Sequence, residues 1–225
     1  GLAWRTVSGE DLERLIGVSL EGVLKQEGYE VLQRSERSRY MKERLLRLLK
    51  RSVWALQEQL KCGDFEPGGF EVSFAMDNRY TLALPLSEDG KMMVKGRIDR
   101  IDLCEEEQEC YVRVIDYKSG SRDFSLTEIY HGLSLQLAVY LNAAMEITRQ
   151  QYPEKTVRPA GIFYYRIQDP LLLSGWDRRE EDVKKDMLRE LRMKVLSSED
   201  PGILDRMDHN AGGVKNTSIV FPLSY

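Results

Sequence analysis

The chain is poor in the residues that build a histidine-centred or disulfide-stapled protein. It has two histidines, His131 and His209, and neither has companions at metal-ligand spacing, which excludes a histidine-built zinc centre. Three cysteines, Cys62, Cys104 and Cys110, are odd in number and badly spaced for a disulfide scaffold, so unpaired thiols in a reducing compartment are expected. No apolar run approaches the length of a membrane span, and no charged-then-apolar leader opens the sequence; a cytoplasmic location without a membrane partner is expected. A Walker-type phosphate loop is missing as well, so any ATPase motor belongs to another segment or another chain. Gly1 stands where an initiator methionine would, which reads as a fragment of a larger protein.

What is present is an ordinary core-forming composition. With 225 residues, 42% hydrophobic and 31% charged, the chain can build one substantial core with a small appendage. The net charge of −4 argues against a free-standing, tight DNA binder, because phosphate contacts from Lys and Arg supply most sequence-independent affinity. The charge is unevenly spread. Arg34, Arg37, Arg39, Lys42, Arg44, Arg47, Lys50 and Arg51 stand against only Glu36 and Glu43 in that interval. Leu45, Leu48, Leu49, Val53, Trp54, Leu56 and Leu60 give the segment an apolar stripe at helical spacing. A long amphipathic helix with a basic outer face is expected, either simply solvated or touching DNA.

Ahead of it, Ser8 followed by Asp11 reads as a capping box opening a helix through about Lys25. Leu12, Leu15, Ile16, Val23 and Leu24 are its core candidates, and Gly28 is its stop. Pro67, Gly68 and Gly69 break the basic helix within 63–69. Strands are expected at Phe70–Met76, Tyr80–Leu86, Lys91–Leu103 and Tyr111–Lys118. A helix should then run from Ser125 to Gln151, a buried strand from Arg158 to Ile167, a polar helix from Glu180 to Val195, and finally a tail with Gly212 and Gly213.

Chemistry concentrates between Gly96 and Tyr140. On a strand, Val112, Val114, Asp116 and Lys118 share one face, so a carboxylate and an ammonium project together at its end. The acidic turn Glu105–Glu109 suits a hairpin that brings Asp99 beside Asp116. Two such acids are costly together unless a cation or proton compensates them. Mg²⁺ fits, since it takes hard oxygen ligands and leaves positions to water and phosphate, with Mn²⁺ as the alternative. The reaction implied is phosphodiester hydrolysis. Each residue also has an ordinary reading. Asp99 could pair with Arg97 or Arg100, Asp102 could do the same on a solvated strand, Glu71 could be an edge residue and Lys118 a surface lysine. Gln136 lies on a helix that is apolar nearly all round and needs a partner, while Tyr140, one turn on, is core material first.

The Phe70–Phe74 stretch, Gly96-Arg97-Ile98-Asp99-Arg100-Ile101-Asp102, Val114-Ile115-Asp116-Tyr117-Lys118-Ser119-Gly120 and Gly132-Leu133-Ser134-Leu135-Gln136-Leu137 carry the Gly-x-x-Asp, Asp-Tyr-Lys and Gln-x-x-x-Tyr signatures. Together they resemble the RecB-like branch of the PD-(D/E)xK nucleases, and within it the nuclease domain of the AddB family. The resemblance covers roughly residues 66–175 well. It implies an α/β fold, a restriction-endonuclease-like central mixed sheet flanked by helices, with additional N-terminal helices. It divides the chain into a helical flank (1–62), a nuclease core (63–175) and a C-terminal helix and tail (176–225). It makes Asp99, Asp116 and Lys118 catalytic, and Glu71, Asp99, Asp116 and the Tyr117 carbonyl metal ligands. Gln136 and Tyr140 become substrate contacts or braces for Lys118. A single DNA strand and an AddA-type helicase-nuclease subunit are the implied partners, in double-strand-break processing for homologous recombination. A non-cutting, strand-binding module and a CRISPR-associated exonuclease are the alternatives. The sequence departs from the family in two respects. The clustered cysteines of its iron-sulfur centre are not in this segment, and residues 1–130 hold no motif histidine.

Overall fold

A computed structural model describes residues 4–26, 36–75, 82–85, 91–120, 135–170, 172, 179–211 and 218–222. Gly28, the expected start of the third helix at Ser125, His131, Gly132 to Ser134, and the Gly212-Gly213 tail lie outside the described residues. The chain forms two compact units, one of residues 1–61 with 167–191 and the other of 62–166 with 192–225.

The first unit is helical. Helix α1, Gly9–Leu24, starts where Ser8 Oγ accepts the Asp11 N–H at 3.1 Å, and it buries Leu12, Ile16, Leu20 and Leu24 at a four-residue spacing. Val23 is exposed instead of buried, because the stripe runs through Leu20 and Leu24. Helix α2, Glu36–Lys61, corrects the expected leucine stripe. Leu45 is exposed, whereas Gln57 and Gln59 are buried. Both amides have work that explains this: Gln57 Nε2 donates to the Trp4 and Val7 carbonyls at 2.9 and 2.8 Å, and Gln59 Nε2 donates to the Leu191 carbonyl at 2.9 Å. Buried amides with such partners avoid the penalty of unpaired polar groups. The basic face of α2 is largely neutralised. Arg39, Lys42, Lys50, Arg47 and Arg51 pair with Glu36, Glu21, Glu13 and, for the last two, Asp169.

The second unit is built on a mixed sheet. Strands β1 (Glu66–Phe74), β4 (Gly96–Glu105), β5 (Glu109–Lys118), β6 (Thr156–Arg166) and β7 (Lys194–Ser197) lie in the order β1-β4-β5-β6-β7. Strands β2 (Leu82–Pro85) and β3 (Lys91–Val94) form a separate two-stranded ribbon. The expected strand from Lys91 to Leu103 is therefore two strands divided at Lys95, and they serve different sheets. Only β5 and β6 pair in parallel. A parallel pair needs a crossover, which contains helix α3, Gln136–Gln151. Its face packs Ala143 and Ala144 onto Phe74, Ile98, Ile101, Val112, Val114 and Val157. The expected helix from Glu180 to Val195 is shorter: α4, Glu180–Glu190, lies in the helical unit, and Lys194 already belongs to β7. A last short helix, α5, spans Pro201–Met207. Gly63 has no room for a Cβ, which would meet the carbonyls of Arg206 and Met207. Among the described residues all three cysteines are free thiols, Cys104 and Cys110 buried, and no helix is long and apolar enough to cross a membrane.

Candidate active site

Asp99 and Asp116 meet because of one register. Arg100 is paired with Ile115 in the antiparallel β4–β5 ladder, so one step further on the two aspartates stand side by side. Asp99 Oδ2 accepts the Tyr117 N–H at 2.9 Å, which ties it to the end of β5. Neither of its ordinary partners takes it, since Arg97 pairs with Glu71 and Arg100 with Asp102. Lys118 is more than a surface lysine: its Nζ lies 2.7 Å from Asp116 Oδ2 and 5.8 Å from the centre of the Tyr164 ring.

The alternation of β4 is interrupted at the site. Ile98 and Ile101, three residues apart, both pack under α3, while Arg100 is buried in a pair with Asp102. Strand β1 does the same opposite it, where Phe70 is exposed beside the Arg100 guanidinium and Val72 packs against the α3 core. The pivot in β1 is Glu71, whose φ of 51° is left-handed. Such a conformation costs a non-glycine residue on the order of 1–2 kcal/mol, and residues of this kind cluster at functional sites. Glu71 thus faces Asp99 by register yet points outward to Arg97 Nε at 2.7 Å, both side chains well exposed.

Electrostatics separate the two aspartates from their surroundings. Asp116 is 3% exposed, and burial, with a smaller push from Asp99, holds its pKa above the usual carboxylate range despite the Lys118 ammonium. Lys118 is raised in turn: burial pulls it down and the Asp116 contact outweighs that. A buried carboxylate kept charged against its environment, with a second carboxylate alongside, suits a hard divalent cation. Among the described residues no three His, Cys, Asp or Glu gather closely enough to hold a metal, so the donor set is the Asp99–Asp116 pair, with Glu71 turned away.

Gln136 and Tyr140 are joined, Gln136 Nε2 donating to the Tyr140 hydroxyl at 2.9 Å. Gln136 is exposed, contrary to the buried setting expected from its apolar neighbours, because the described start of α3 also leaves Leu135 in solvent. Tyr140 is half-buried, edge-on to Phe74 at 6.0 Å. Both rings crowd Gly96, where a Cβ would lie 2.7 Å from Phe74 Cζ and 3.0 Å from Tyr140 Cε1. The glycine three residues before Asp99 is thus required by close packing of β1, β4 and α3.

Sequence reasoning missed the other face of the same strands. Asp102, expected on a solvated strand, is fully buried and accepts from Arg100 Nε at 2.6 Å and Nη2 at 2.9 Å, and from Arg113 Nε at 3.0 Å and Nη2 at 2.9 Å. Arg113 lies over the rings of Phe65 and Phe163, and Arg100 reaches the Tyr117 hydroxyl at 3.4 Å. The available signal was an Arg-x-Asp on one strand facing an Arg on the next.

A family model described as the PD-(D/E)XK nuclease superfamily matches residues 3–213. The chain is similar to an ATP-dependent helicase/deoxyribonuclease subunit of the AddB type from Thermoanaerobacter sp. (strain X514), 35% identical over 222 residues, 98% of this chain and 19% of that protein. The protein of the same name from Clostridioides difficile (strain 630) is 38% identical over 225 residues, 99% of this chain and 19% of that protein. The one from Lachnoclostridium phytofermentans is 44% identical over 158 residues, 70% and 13% respectively. The chain therefore spans 19% or less of the length of these relatives.

Proposed function

Because the chain belongs to the PD-(D/E)XK nuclease superfamily, we propose that it is a Mg²⁺-dependent deoxyribonuclease module, working as an exonuclease within a larger helicase-nuclease. There it would trim a single strand of unwound duplex alongside an AddA-type subunit, in the cytoplasm, during double-strand-break processing for recombination. The observation that carries this reading is Asp116, buried and held charged beside Asp99 with Lys118 in contact. The names of the relatives, helicase/deoxyribonuclease subunits, support the larger assembly.

In this reading Asp99 and Asp116 hold the metal, the Tyr117 carbonyl supplies a further oxygen, and Glu71 joins by turning away from Arg97. The bound ion polarises the scissile phosphate and lowers the pKa of a water. The chain's own groups do the rest. The Tyr117 N–H fixes Asp99, and the Lys118 ammonium orients the attacking water and offsets charge developing on the phosphate. Gln136 and the Tyr140 hydroxyl, already locked together, meet the strand's backbone.

One observation favours the non-cutting alternative: Glu71 is engaged with Arg97, so only two carboxylates face each other. Cleavage of a labelled single-stranded oligonucleotide separates the two readings. Cutting should require Mg²⁺ or Mn²⁺, stop in EDTA, and fall on the order of 10²- to 10³-fold in Lys118→Ala, the usual loss of one transition-state donor. Cutting that survives EDTA, or survives Lys118→Ala unchanged, would refute the proposal.

A further inference from the structure

The site face extends past the carboxylates toward the far edge of the sheet. The parallel ladder pairs Asp116 with Tyr164 and Lys118 with Arg166, and the antiparallel β6–β7 ladder pairs Tyr164 with Lys194. Residues paired across a ladder project to the same side, so one row on this face reads Asp116, Tyr164, Lys194 and the next reads Lys118, Arg166. Lys118 Nζ lies over the Tyr164 ring, as a shared face requires. Arg166 and Lys194 are both exposed. Strand neighbours are roughly 4.8 Å apart, so cations reach roughly 10 Å from β5 to β7. The patch also lies at the carboxyl ends of the two parallel strands, where open α/β sheets bind their ligands.

The rival basic surface is α2, where five cations already have carboxylate partners within the helical unit. Among the described residues, Arg166 has no carboxylate at ion-pair distance. We propose that Arg166 and Lys194 form a phosphate track that leads from the Asp99–Asp116 pair over β6 and β7 and holds the single strand next to the bond that is cut. This rests on the nuclease reading above and adds the path of the substrate. Phosphates flanking the scissile one meet Arg166 first and Lys194 beyond it, while Tyr164 carries Lys118 between them.

The test is fluorescence anisotropy of a single-stranded oligonucleotide on the 225-residue chain, with Ca²⁺ replacing Mg²⁺ and a series of salt concentrations. The variants are Arg166→Gln with Lys194→Gln, and separately Arg37→Gln with Arg44→Gln on α2. Loss of two phosphate contacts should lower the salt slope by about 1.4 and weaken binding on the order of tenfold for the first pair, with little change for the second. In cleavage with Mg²⁺ the same first pair should raise KM and leave kcat unaltered, as for contacts shared by ground and transition states. Unchanged slope and unchanged KM, or a larger loss from the α2 pair, would overturn the track. A wild-type chain that binds with the track's salt signature but never cuts would sink the nuclease reading and leave the track standing.

Discussion

Two faces of the same β4–β5 hairpin handle buried charge in opposite ways. On one, Asp102 is shared by the guanidiniums of Arg100 and Arg113 and is over-neutralised. Burial alone would raise its pKa, but the two arginines outweigh that and hold it below its ordinary value. On the other face Asp99 and Asp116 share one ammonium, and Asp116 is held above its ordinary value. The first arrangement is complete in itself and supports the fold. The second is short of positive charge, a deficit that a bound cation would fill. Fully satisfied buried networks rigidify, whereas perturbed carboxylates in partly open positions mark sites of chemistry.

The sharpest way to break this contrast is Asp102→Ala, which strands two buried guanidiniums. A loss of about 3–5 kcal/mol is expected from denaturant unfolding. A loss under about 1 kcal/mol would mean that the triad is not what holds β4 to β5. The pH dependence has a definite sign. Asp102 is depressed in the folded state, so its contribution is fully present above about pH 4 and is lost as the pH falls through the lowered value.

Gly96→Ala probes the packing that joins the two faces to α3. The added methyl meets Phe74 and Tyr140, and overpacking of this kind costs about 1–3 kcal/mol. Thermal unfolding at equal or higher temperature than wild type would show that the rings have room to give.

The smallest effect has the opposite sign. Asp116 is raised in the folded state, so its charge opposes folding at neutral pH, and the opposition fades as the pH falls through the raised value. Metal-free Asp116→Asn should therefore melt above wild type at pH 7, with the gap closing as the pH is lowered. Activity sites commonly trade stability in this way. A lower melting temperature for the variant at pH 7 would place Asp116 with Asp102, among the structural charges.

Much of the site was legible because strand alternation is local. Val112, Val114, Asp116 and Lys118 follow a period of two, and the acidic turn at Glu105–Glu109 announces the hairpin. The mixed sheet and its family followed from the ordered motifs, and the family match agrees. What stayed hidden depends on partners distant in sequence. The phase switch at Asp99 comes from a left-handed Glu71 on the neighbouring strand, which no periodicity in β4 reveals. Asp102 looked solvated because Arg113, its second partner, sits eleven residues on. Gln57 and Gln59 looked like surface residues because the carbonyls they serve belong to Trp4, Val7 and Leu191. Strand β7 has only four residues and takes its identity from pairing with β6.

Calorimetric titration of the metal-free chain with Mn²⁺ tests the central contrast most directly. One saturable site is expected in wild type, retained in Lys118→Ala, which lacks the ammonium but keeps both acids, and lost in Asp99→Ala and Asp116→Ala. Equal Mn²⁺ binding by wild type and Asp116→Ala would contradict the account, because the under-neutralised face would then not be the one that holds the metal.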